Sequence, residues 1–559
     1  MASLDFDQIQ SPLPDLQTLQ GRYRALHTAL ASAGDVTACR EVVEEWDGLR
    51  RDLQTGSALA GLKFRQNTTD EQAKENRRAW EELGPKLTEL AVDLQRKLLA
   101  HPLRTELEKE LGPQAFALWE STVMTYAPEI EEDVVTESEL VAEYTELMAS
   151  MRLEFQGEQR NLSSMRAFLD HADRSVREAA TRATWSWFGE NAAELDRIFD
   201  ELVQLRTGMA KKLGFSDFVE LGYRRMKRVD YDRDDVERFR KGVRDHVVPF
   251  AMELRSRQAE SLGVELCYWD EAVHDMAGNP RPQGGHDWMM DRAREMFDAM
   301  DPEIGSFFHL MADARLTDLE TREGKAGGGF CTSFPSYGVP FIFANFTGTK
   351  GDVEVFTHEV GHAYQNYLSQ KLFPVDYIWA TSESAEIHSM SLEYLTWPHM
   401  ERFFGEEAER YRRVHQTGNI LFLPYGVAVD HFQHMVYERP DATPAERCEM
   451  WREVERMYLP WRRYDGIERL EAGGFWQMQL HVYNFPFYYI DYTLAEVCAM
   501  QFRDLAREDE ARALEVYRAL CRRGGSLPFQ GLVRSAGLMS PLEEGCLEEV
   551  VGKTRALLS

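Results

Sequence analysis

The sequence HEVGH at residues 358–362 constrains the fold of this chain more than any other feature. Side chains four positions apart share one face of an α-helix, so His358 and His362 can present both imidazoles to one metal ion only if this segment is helical. Glu359 lies about 100° further round the helix, where its carboxylate can reach a water on the metal without being a ligand. This arrangement is typical of zinc hydrolases that use the glutamate as general base.

Two surface histidines on a helix would show the same spacing, so the rest of the helix has to be considered. Apolar side chains occupy many of its other positions: Val355, Phe356, Val360, Ala363 and Tyr367. We therefore expect the helix to be buried, and buried histidines need partners.

The segment SESAEIHSMSLEYL at residues 382–395 offers a third ligand. A catalytic zinc usually has three protein ligands and one open position. Glu386 is the candidate ligand, and Glu383 competes with it by spacing. Glu393 lies seven positions after Glu386, two turns along the same face, where it can orient a ligand imidazole from the second layer of the site. His388 points elsewhere on the helix, so a supporting or structural role is expected for it.

Hydrogen-bond donors cluster in the segment HVYNFPFYYIDY at residues 481–492. Aromatic clusters usually indicate core packing, and that interpretation stays open for any single tyrosine. One histidine and several phenols close together nevertheless supply the neutral donors that a developing oxyanion requires.

Helix signals dominate the first three hundred residues. Capping patterns predict helix starts at Thr69 and Thr136. Residues 232–262 read as one helix that ends at Gly263, with a possible kink at Pro249. No repeat and no low-complexity linker interrupts this organisation.

The pattern changes near residue 315. Glycines are frequent there, and two short strands are predicted at Gly329–Phe334 and Val339–Asn345. The run Gly327–Gly329 is not a phosphate loop, because no Lys-Ser/Thr pair follows it. Helical patterns return after Gly351, so the expected fold is mainly α with a small β patch directly before the metal motif.

Charge and cysteine usage exclude several classes of partner. Lys and Arg total 64 and Asp and Glu total 94, which gives a net charge of −30 and argues against nucleic acid or anionic membranes as partners.

The seven cysteines show no paired metal-binding spacing, so reduced thiols are expected. The N-terminus does not read as a signal peptide, and the apolar runs are too short to span a bilayer. These features predict a soluble cytoplasmic protein.

The three motifs together resemble oligoendopeptidase F, within the thimet oligopeptidase and neurolysin superfamily of zinc metallopeptidases. The resemblance rests on HEVGH, on AEIHSMSLEY at residues 385–394 and on HVYNFPFYYIDY, and it extends over most of the chain. It covers DRSVR at residues 173–177, the strand at Val339–Asn345, and the closing segment at residues 524–546.

The resemblance implies two mainly helical lobes that flank a deep substrate channel, with the zinc on the channel wall. An N-terminal lobe would occupy residues 1–145 and a catalytic region residues 146–559. Within the latter, the expected parts are a β patch at 315–350, zinc-binding helices at 351–400 and a substrate-side loop at 475–495.

The resemblance also implies roles for individual residues. It favours Glu386 as the third ligand, followed by Glu393. It assigns His481 to the substrate carbonyl, together with tyrosines that best match Tyr489 and Tyr492, and next Tyr488. It further suggests that the strand beginning with Gly329, Phe330, Cys331 and Thr332 pairs with the backbone of the substrate.

The expected function is hydrolysis of internal bonds in short unstructured peptides, with one zinc ion per chain. A zinc hydrolase of another amide, or a carboxypeptidase that trims from the C-terminus, remains an alternative. A non-catalytic helical scaffold is less favoured, because Glu359 would have no purpose there and no fourth ligand stands out. His431 and His434 lack a nearby third ligand, so packing roles are expected for them.

Overall fold

The computed structural model describes residues 4–274 and 276–558. It is mainly α-helical, as the sequence predicts. Its α-helices are α1 (Leu16–Ser32), α2 (Val36–Gln66), α3 (Glu71–Leu99), α4 (Arg104–Leu111), α5 (Pro113–Met124), α6 (Glu131–Ala149), α7 (Leu162–Leu169), α8 (Arg174–Glu190), α9 (Ala192–Lys212), α10 (Phe218–Arg225), α11 (Arg233–Gly242), α12 (Val248–Leu262), α13 (His286–Met300), α14 (Pro302–Asp313), α15 (Lys350–Ser369), α16 (Ser382–Leu395), α17 (Glu401–Phe404), α18 (Ala408–Glu438), α19 (Pro444–Tyr458), α20 (Glu468–Glu471), α21 (Leu480–Asn484), α22 (Tyr489–Glu508), α23 (Glu510–Arg523), α24 (Phe529–Ser535) and α25 (Cys546–Leu557).

The strands form two small sheets. They are β1 (Leu153–Phe155), β2 (Glu158–Arg160), β3 (Thr317–Glu320), β4 (Phe330–Phe334) and β5 (Val339–Phe346). The first sheet is the hairpin β1-β2, and its turn places Gln156 and Gly157 at positive φ. The second has the order β3-β5-β4, with β5 in the centre.

The sheet beside the metal motif contains both predicted strands and a third strand, β3, that the sequence analysis does not predict. Strand β4 pairs antiparallel with β5 in a register that places Phe330 opposite Phe343. Strand β3 pairs parallel with β5 on the other side. Its sequence, TDLE, is short and largely polar, so its pattern gives no strand signal. As a result β4 is an edge strand.

Two predicted helix starts are wrong. Helix α3 begins at Glu71, and its N-cap is Asp70, whose carboxylate accepts hydrogen bonds from the following backbone N–H groups. Thr136 lies inside α6, where its hydroxyl donates to the Glu132 carbonyl. Both threonines precede acidic, helix-favouring sequence, so propensity and an aspartate cap decide these starts.

The predicted helix at residues 232–262 is present with one irregularity. Asp232 caps α11, and α12 ends at Gly263, which adopts a left-handed φ of 62°. A π-helical turn at Val243–Val247 separates α11 from α12, directly before Pro249. The proline ring has no N–H to continue the i→i−4 pattern, which accounts for an irregularity at this point.

Apolar side chains form a large core and a smaller one. The large core includes residues of α15, α16, α18 and α22, whereas the smaller one lies mainly among α1 to α5. Tyr377 joins the smaller core from the segment after α15, and its hydroxyl donates to the Leu111 carbonyl at 2.7 Å. The boundary expected at residue 145 stays a prediction.

All seven cysteines are free thiols, as the sequence predicts. Within residues 4–274 and 276–558, no helix combines the length and the hydropathy that a membrane crossing requires.

Candidate metal centre and active site

The close packing of α15 on α16 builds the candidate metal centre. Gly361 lies at the contact between the two helices, where a Cβ atom would be 2.6 Å from the Ser389 Cα and 2.7 Å from the His388 carbonyl oxygen. Only glycine permits this approach, because the atoms that a side chain would meet belong to the opposite backbone. The glycine in HEVGH therefore lets the two helices present their polar residues to one point.

Three side chains converge at that point: His358 and His362 from α15 and Glu386 from α16. One ligand atom from each lies within 4.8 Å of the others. The Glu386 Oε2 atom is 3.1 Å from His358 Nε2 and 3.4 Å from His362 Nε2. The two imidazole rings stand nearly perpendicular, at 83°. The site residues predicted as ligands are thus brought together, and the competing Glu383 is outside this group.

The arrangement of donor atoms in the cluster fits a cation. The Nδ1 atom of His358 is hydrogen-bonded to Glu393 at 2.8 Å, so Nε2 is the ring nitrogen that faces Glu386, at 3.1 Å. Burial by itself would raise the pKa of Glu386, but His362 and His358 outweigh it and hold the pKa well below the usual range. A charged carboxylate and two imidazole nitrogens that face one point form a donor set suited to zinc.

Glu393 connects the cluster to α18. It lies on α16 and accepts hydrogen bonds from His358 through one oxygen and from His415 through the other, both at 2.8 Å. Trp397 donates to the second ring nitrogen of His415 at 3.3 Å. The ring of His358 is therefore fixed by a relay through the half-buried Glu393, the buried His415 and Trp397, as metal-ligating histidines usually are.

Two polar residues of α16 face away from the cluster. His388 is fully buried, its ring nitrogens have no hydrogen-bond partner among the described residues, and burial lowers its pKa to about 4. Glu383 accepts a hydrogen bond from Thr381 at 2.8 Å, and burial, followed by the nearby Asp491, raises its pKa to about 8. The ring of His388 makes no hydrogen bond to the ligand side chains, so the supporting role expected for it rests on packing.

Glu359 lies beside the cluster and is only 6% exposed. Its Oε2 atom has no hydrogen-bond partner in the described parts of the chain. Burial raises its pKa, and the two histidines oppose that shift. A buried carboxylate with an uncommitted oxygen and a raised pKa is well suited to accept a proton.

Helix α21, the first turn of α22 and the turn between them carry the predicted hydrogen-bond donors. The ring of His481 lies 5.3 Å from that of Tyr488, 5.1 Å from that of Tyr489 and 5.9 Å from that of Tyr492. Burial lowers the pKa of His481 to about 4, so the imidazole is neutral.

The hydroxyl groups of the three tyrosines have different partners. The Tyr488 hydroxyl donates to Glu386 Oε1 at 2.8 Å. The Tyr492 ring lies 5.1 Å from that of Tyr488, and burial, followed by the Glu386 carboxylate, raises the pKa of its phenol. The Tyr489 hydroxyl instead donates to Gln479 at 2.8 Å. The geometry therefore favours Tyr488 and Tyr492 over Tyr489, whereas the resemblance ranks Tyr489 and Tyr492 together before Tyr488.

Strand β4 borders the site on the side of Glu359. A Cβ atom on Gly329 would lie 3.0 Å from a Val355 methyl and 3.7 Å from Glu359 Oε1. The Phe330 ring stacks on Phe343 at 4.9 Å. Burial, and then the negative charge of Glu359, raise the pKa of Cys331. With Thr332, these are the residues for which substrate contact is predicted, and they lie along an edge strand next to the general-base candidate.

Exposed apolar side chains and two cavities surround the cluster. Val355, Leu480 and Phe485 are 40%, 42% and 56% exposed. These three apolar side chains contribute to an open surface. The sequence predicts that the helix carrying HEVGH is buried. Val355 and Tyr367 correct this prediction, because Tyr367 is also exposed, at 36%.

One cavity, of about 630 Å³, is lined in part by Glu393, Phe422 and Tyr425. A second, of about 490 Å³, adjoins the end of β4 and Trp379, whose ring lies 6.4 Å from that of His362. Open space therefore adjoins Glu393 on one side and Trp379 on the other.

Several residues of the site have no signal in the sequence motifs. His415 lies 22 positions after Glu393, and nothing in the local pattern of α18 marks it. Gly361 is visible inside HEVGH, but its packing role depends on α16. Ser389, whose hydroxyl donates to Glu386 Oε2 at 3.0 Å, is likewise visible only once the helix faces are known.

Comparisons with known families cover both ends of the chain. A family model described as the peptidase M3 N-terminal domain matches residues 6–126, and a model described as peptidase family M3 matches residues 296–551. Among curated proteins, none matches this chain.

Solved structures match the chain along almost its whole length. A candidate oligoendopeptidase F is 46% identical with a TM-score of 0.96, over 99% of this chain and 98% of the other. PZ peptidase A with an inhibitor is 45% identical with a TM-score of 0.96, over 99% of each chain. A candidate oligoendopeptidase F from Bacillus anthracis is 41% identical with a TM-score of 0.91, over 99% and 98% of the two chains.

Proposed function

Because this chain belongs to peptidase family M3 and is a metalloendopeptidase, we propose that it is a zinc-dependent oligoendopeptidase that cleaves internal bonds of short, unstructured peptides. The observation that carries the proposal is the convergence of three ligand atoms within 4.8 Å, beside a buried glutamate with an uncommitted oxygen. The free thiols suit a reducing compartment, and the proposal places the enzyme in the cytoplasm.

His358, His362 and Glu386 would hold the zinc, and Glu393 would fix the orientation of His358. When bound, zinc supplies Lewis-acid polarisation of the scissile carbonyl and lowers the pKa of water. Among the described residues no fourth ligand atom joins these three, which leaves a position open for chemistry.

Glu359 is the general base in this proposal. Its uncommitted Oε2 accepts the proton of the attacking water, and the same carboxylic acid then delivers that proton to the leaving amine. The raised pKa of the buried carboxyl supports both transfers, because a stronger base accepts the first proton and its acid form persists long enough to donate it.

In this proposal, neutral hydrogen-bond donors stabilise the negative charge that develops on the carbonyl oxygen. The imidazole of His481 and the phenols of Tyr488 and Tyr492 are close enough to each other to act on one atom. Tyr488 already donates its hydroxyl to Glu386, whereas the ring of Tyr492 lies beside that of Tyr488. The proposal therefore assigns Tyr492 and His481 to the oxyanion and Tyr488 first to Glu386.

The substrate backbone is proposed to pair with the free edge of β4 at Gly329, Phe330, Cys331 and Thr332. An extended peptide on this edge would pass the cluster beside Glu359. Strand addition requires an unfolded segment, which explains a preference for short, flexible peptides over folded proteins.

The test is cleavage of internally quenched peptides by the zinc-loaded protein. Peptides of increasing length are offered with both ends blocked and with both ends free. The variant His358→Ala, which lacks one of the proposed zinc ligands, is the control. We expect cleavage of blocked peptides at one internal bond, with turnover that follows the zinc content and is absent from His358→Ala.

Other outcomes identify other functions. Cleavage of free but not blocked peptides would indicate trimming from an end. Cleavage of simple acyl amides but not of peptides would indicate a different zinc hydrolase, and a protein that binds zinc but cleaves nothing would indicate a scaffold. Each of these results would overturn the proposal.

A further inference from the structure

Phe487 has an unusual backbone conformation at a critical point in the chain. Its φ is 69°, in the left-handed region that bulky side chains rarely adopt. It lies in the turn between α21 and α22, directly before Tyr488. Strain of this kind persists only where the surrounding structure enforces it, and it clusters at functional sites.

Two buried side chains hold both peptide groups of Phe487. The Gln433 Oε1 atom accepts a hydrogen bond from the Phe487 backbone N–H at 2.9 Å. The Arg228 guanidinium donates to the Phe487 carbonyl at 2.6 Å and to Asp491 Oδ1 at 2.8 Å. Gln433 is 1% exposed and Arg228 is 3% exposed, so water does not compete for these bonds.

The side chain of Phe487 is held as firmly as its backbone. It is fully buried, and its ring lies 5.1 Å from the ring of His434. On another side it rests against Gly222, where a Cβ atom would come within 2.6 Å of the ring. The absence of a side chain at Gly222 creates the space that this conformation needs.

The residue that this anchor presents is Tyr488. Its hydroxyl reaches Glu386 Oε1 at 2.8 Å, while the other oxygen of Glu386 faces the two histidines. If Phe487 relaxed to a negative φ, the Tyr488 Cα–Cβ direction would change and the phenol would leave Glu386. The hydrogen bond to the candidate metal ligand thus depends on a backbone conformation that distant residues enforce.

We infer that Arg228 and Gln433 are positioning residues of this peptidase, which act on Glu386 through the strained Phe487 and the phenol of Tyr488. This inference rests on the proposed function, in which Glu386 is a zinc ligand. It adds to that function two residues from outside the metal motifs, on the segment after α10 and on α18.

Gln433 gives the cleaner test, because removal of Arg228 would leave Asp491 buried without its ion pair and would destabilise the fold. Gln433→Met keeps the volume of the side chain and removes the acceptor for the Phe487 N–H. Gln433→Glu retains an acceptor oxygen and serves as the conservative rescue. Tyr144→Phe is the matched control: it removes a buried hydrogen bond, of 3.0 Å, to the Gln477 carbonyl in the same C-terminal region but away from Tyr488.

The experiment is a double-mutant cycle between Gln433→Met and Tyr488→Phe. It measures kcat and KM on an end-blocked peptide, zinc affinity by competition with a chelator, and Tm. We expect Gln433→Met to lower kcat and zinc affinity by at least about tenfold, as loss of support for a metal ligand does. KM should change little, Gln433→Glu should recover most of kcat, and Tyr144→Phe should lower Tm without lowering kcat.

The decisive result is the double variant. If Gln433 acts through Tyr488, the double variant will match Tyr488→Phe within about twofold in kcat and zinc affinity, because coupled residues are not additive. Independent losses that multiply in the double variant would overturn the inference, as would an equal loss of kcat in Tyr144→Phe. A wild-type protein without peptidase activity would instead refute the proposed function, and the cycle in zinc affinity would still decide this inference.

Discussion

At the scale of single residues, two of the three candidate ligands of the metal centre, His358 and Glu386, are supported by further side chains. Glu393 holds His358, and Ser389 and Tyr488 each donate to one oxygen of Glu386. HEVGH and the glutamates of α16 could be found from the sequence, because helical periodicity alone places them on shared faces. His415, Arg228 and Gln433 could not, because their roles depend on contacts between elements far apart in the chain.

Glu359→Gln tests the general base. The amide keeps the shape of the side chain but cannot accept the proton, so kcat should fall by at least about 10²-fold. Zinc content should remain at one ion per chain, since Glu359 is not a ligand. Metal analysis and turnover of a blocked peptide provide the measurement, and full activity with normal zinc content would rule out this role.

His415→Phe tests the relay through Glu393. The phenyl ring preserves the packing beside Tyr394 and Tyr411 but cannot hydrogen-bond Glu393, so zinc affinity should fall by about 10- to 100-fold. His431→Phe is the control, since this histidine lies on the same helix and bonds only Tyr458 in the described structure. Chelator competition measures both variants, and equal affinities would contradict the relay.

At the scale of elements, the packing of α15 between β5 and α16 positions the site. The sequence predicted β4, β5 and the helix that follows them, because apolar strands and glycine-rich turns leave a local signal. It could not predict β3 or the hairpin β1-β2, whose short strands gain stability from pairing and not from pattern. The helix starts at Thr69 and Thr136 were wrong because an aspartate cap and helix-favouring residues outweigh a weak capping pattern.

Gly361→Ala tests the contact between α15 and α16. The added methyl would meet backbone atoms at 2.6 and 2.7 Å, so the helices must separate. We expect a loss of about 1–3 kcal/mol in the free energy of unfolding and weaker zinc binding, because Glu386 moves away from the histidines. Gly208→Ala in α9 is the control, since its Cβ would meet no atom within 4 Å. Chemical denaturation distinguishes the two, and equal stabilities would refute the close contact.

Glu496 on α22 makes the packing of α16 on α22 sensitive to pH. Tyr394 donates to this buried carboxyl at 2.6 Å, and burial raises its pKa to about 8. The folded state therefore binds a proton that the unfolded state releases near pH 4.3. Its contribution to stability is complete below that value and is lost as pH rises through about 8.

Glu496→Gln should remove this dependence, since the amide is neutral at every pH and can still accept from Tyr394. Relative to the wild type, the variant should gain stability as pH rises from 5 to 8, by at most about 1.4 kcal/mol per pH unit. Thermal unfolding at a series of pH values measures the difference. A difference that stays constant across this range would show that Glu496 is already ionised.

At the scale of the whole molecule, the metal centre lies among the helices that form the largest core. A ligand that binds only the folded state stabilises it by mass action, by about 2.7 kcal/mol at a hundredfold excess over Kd. Removal of zinc with a chelator should therefore lower Tm, and zinc should restore it. His358→Ala should show neither effect, and a Tm of the wild type that ignores zinc would contradict a folded-state metal site.

The contact at Gly361 has a consequence for how such an enzyme can diversify. Backbone rests on backbone there, and a spacing set by main-chain atoms does not drift when neighbouring side chains are exchanged. The exposed side chains of Val355, Leu480 and Phe485 take no part in that contact. Substitutions at these three positions can change which peptides are accepted. They leave the distance between the two helices, and therefore the position of Glu386, unchanged.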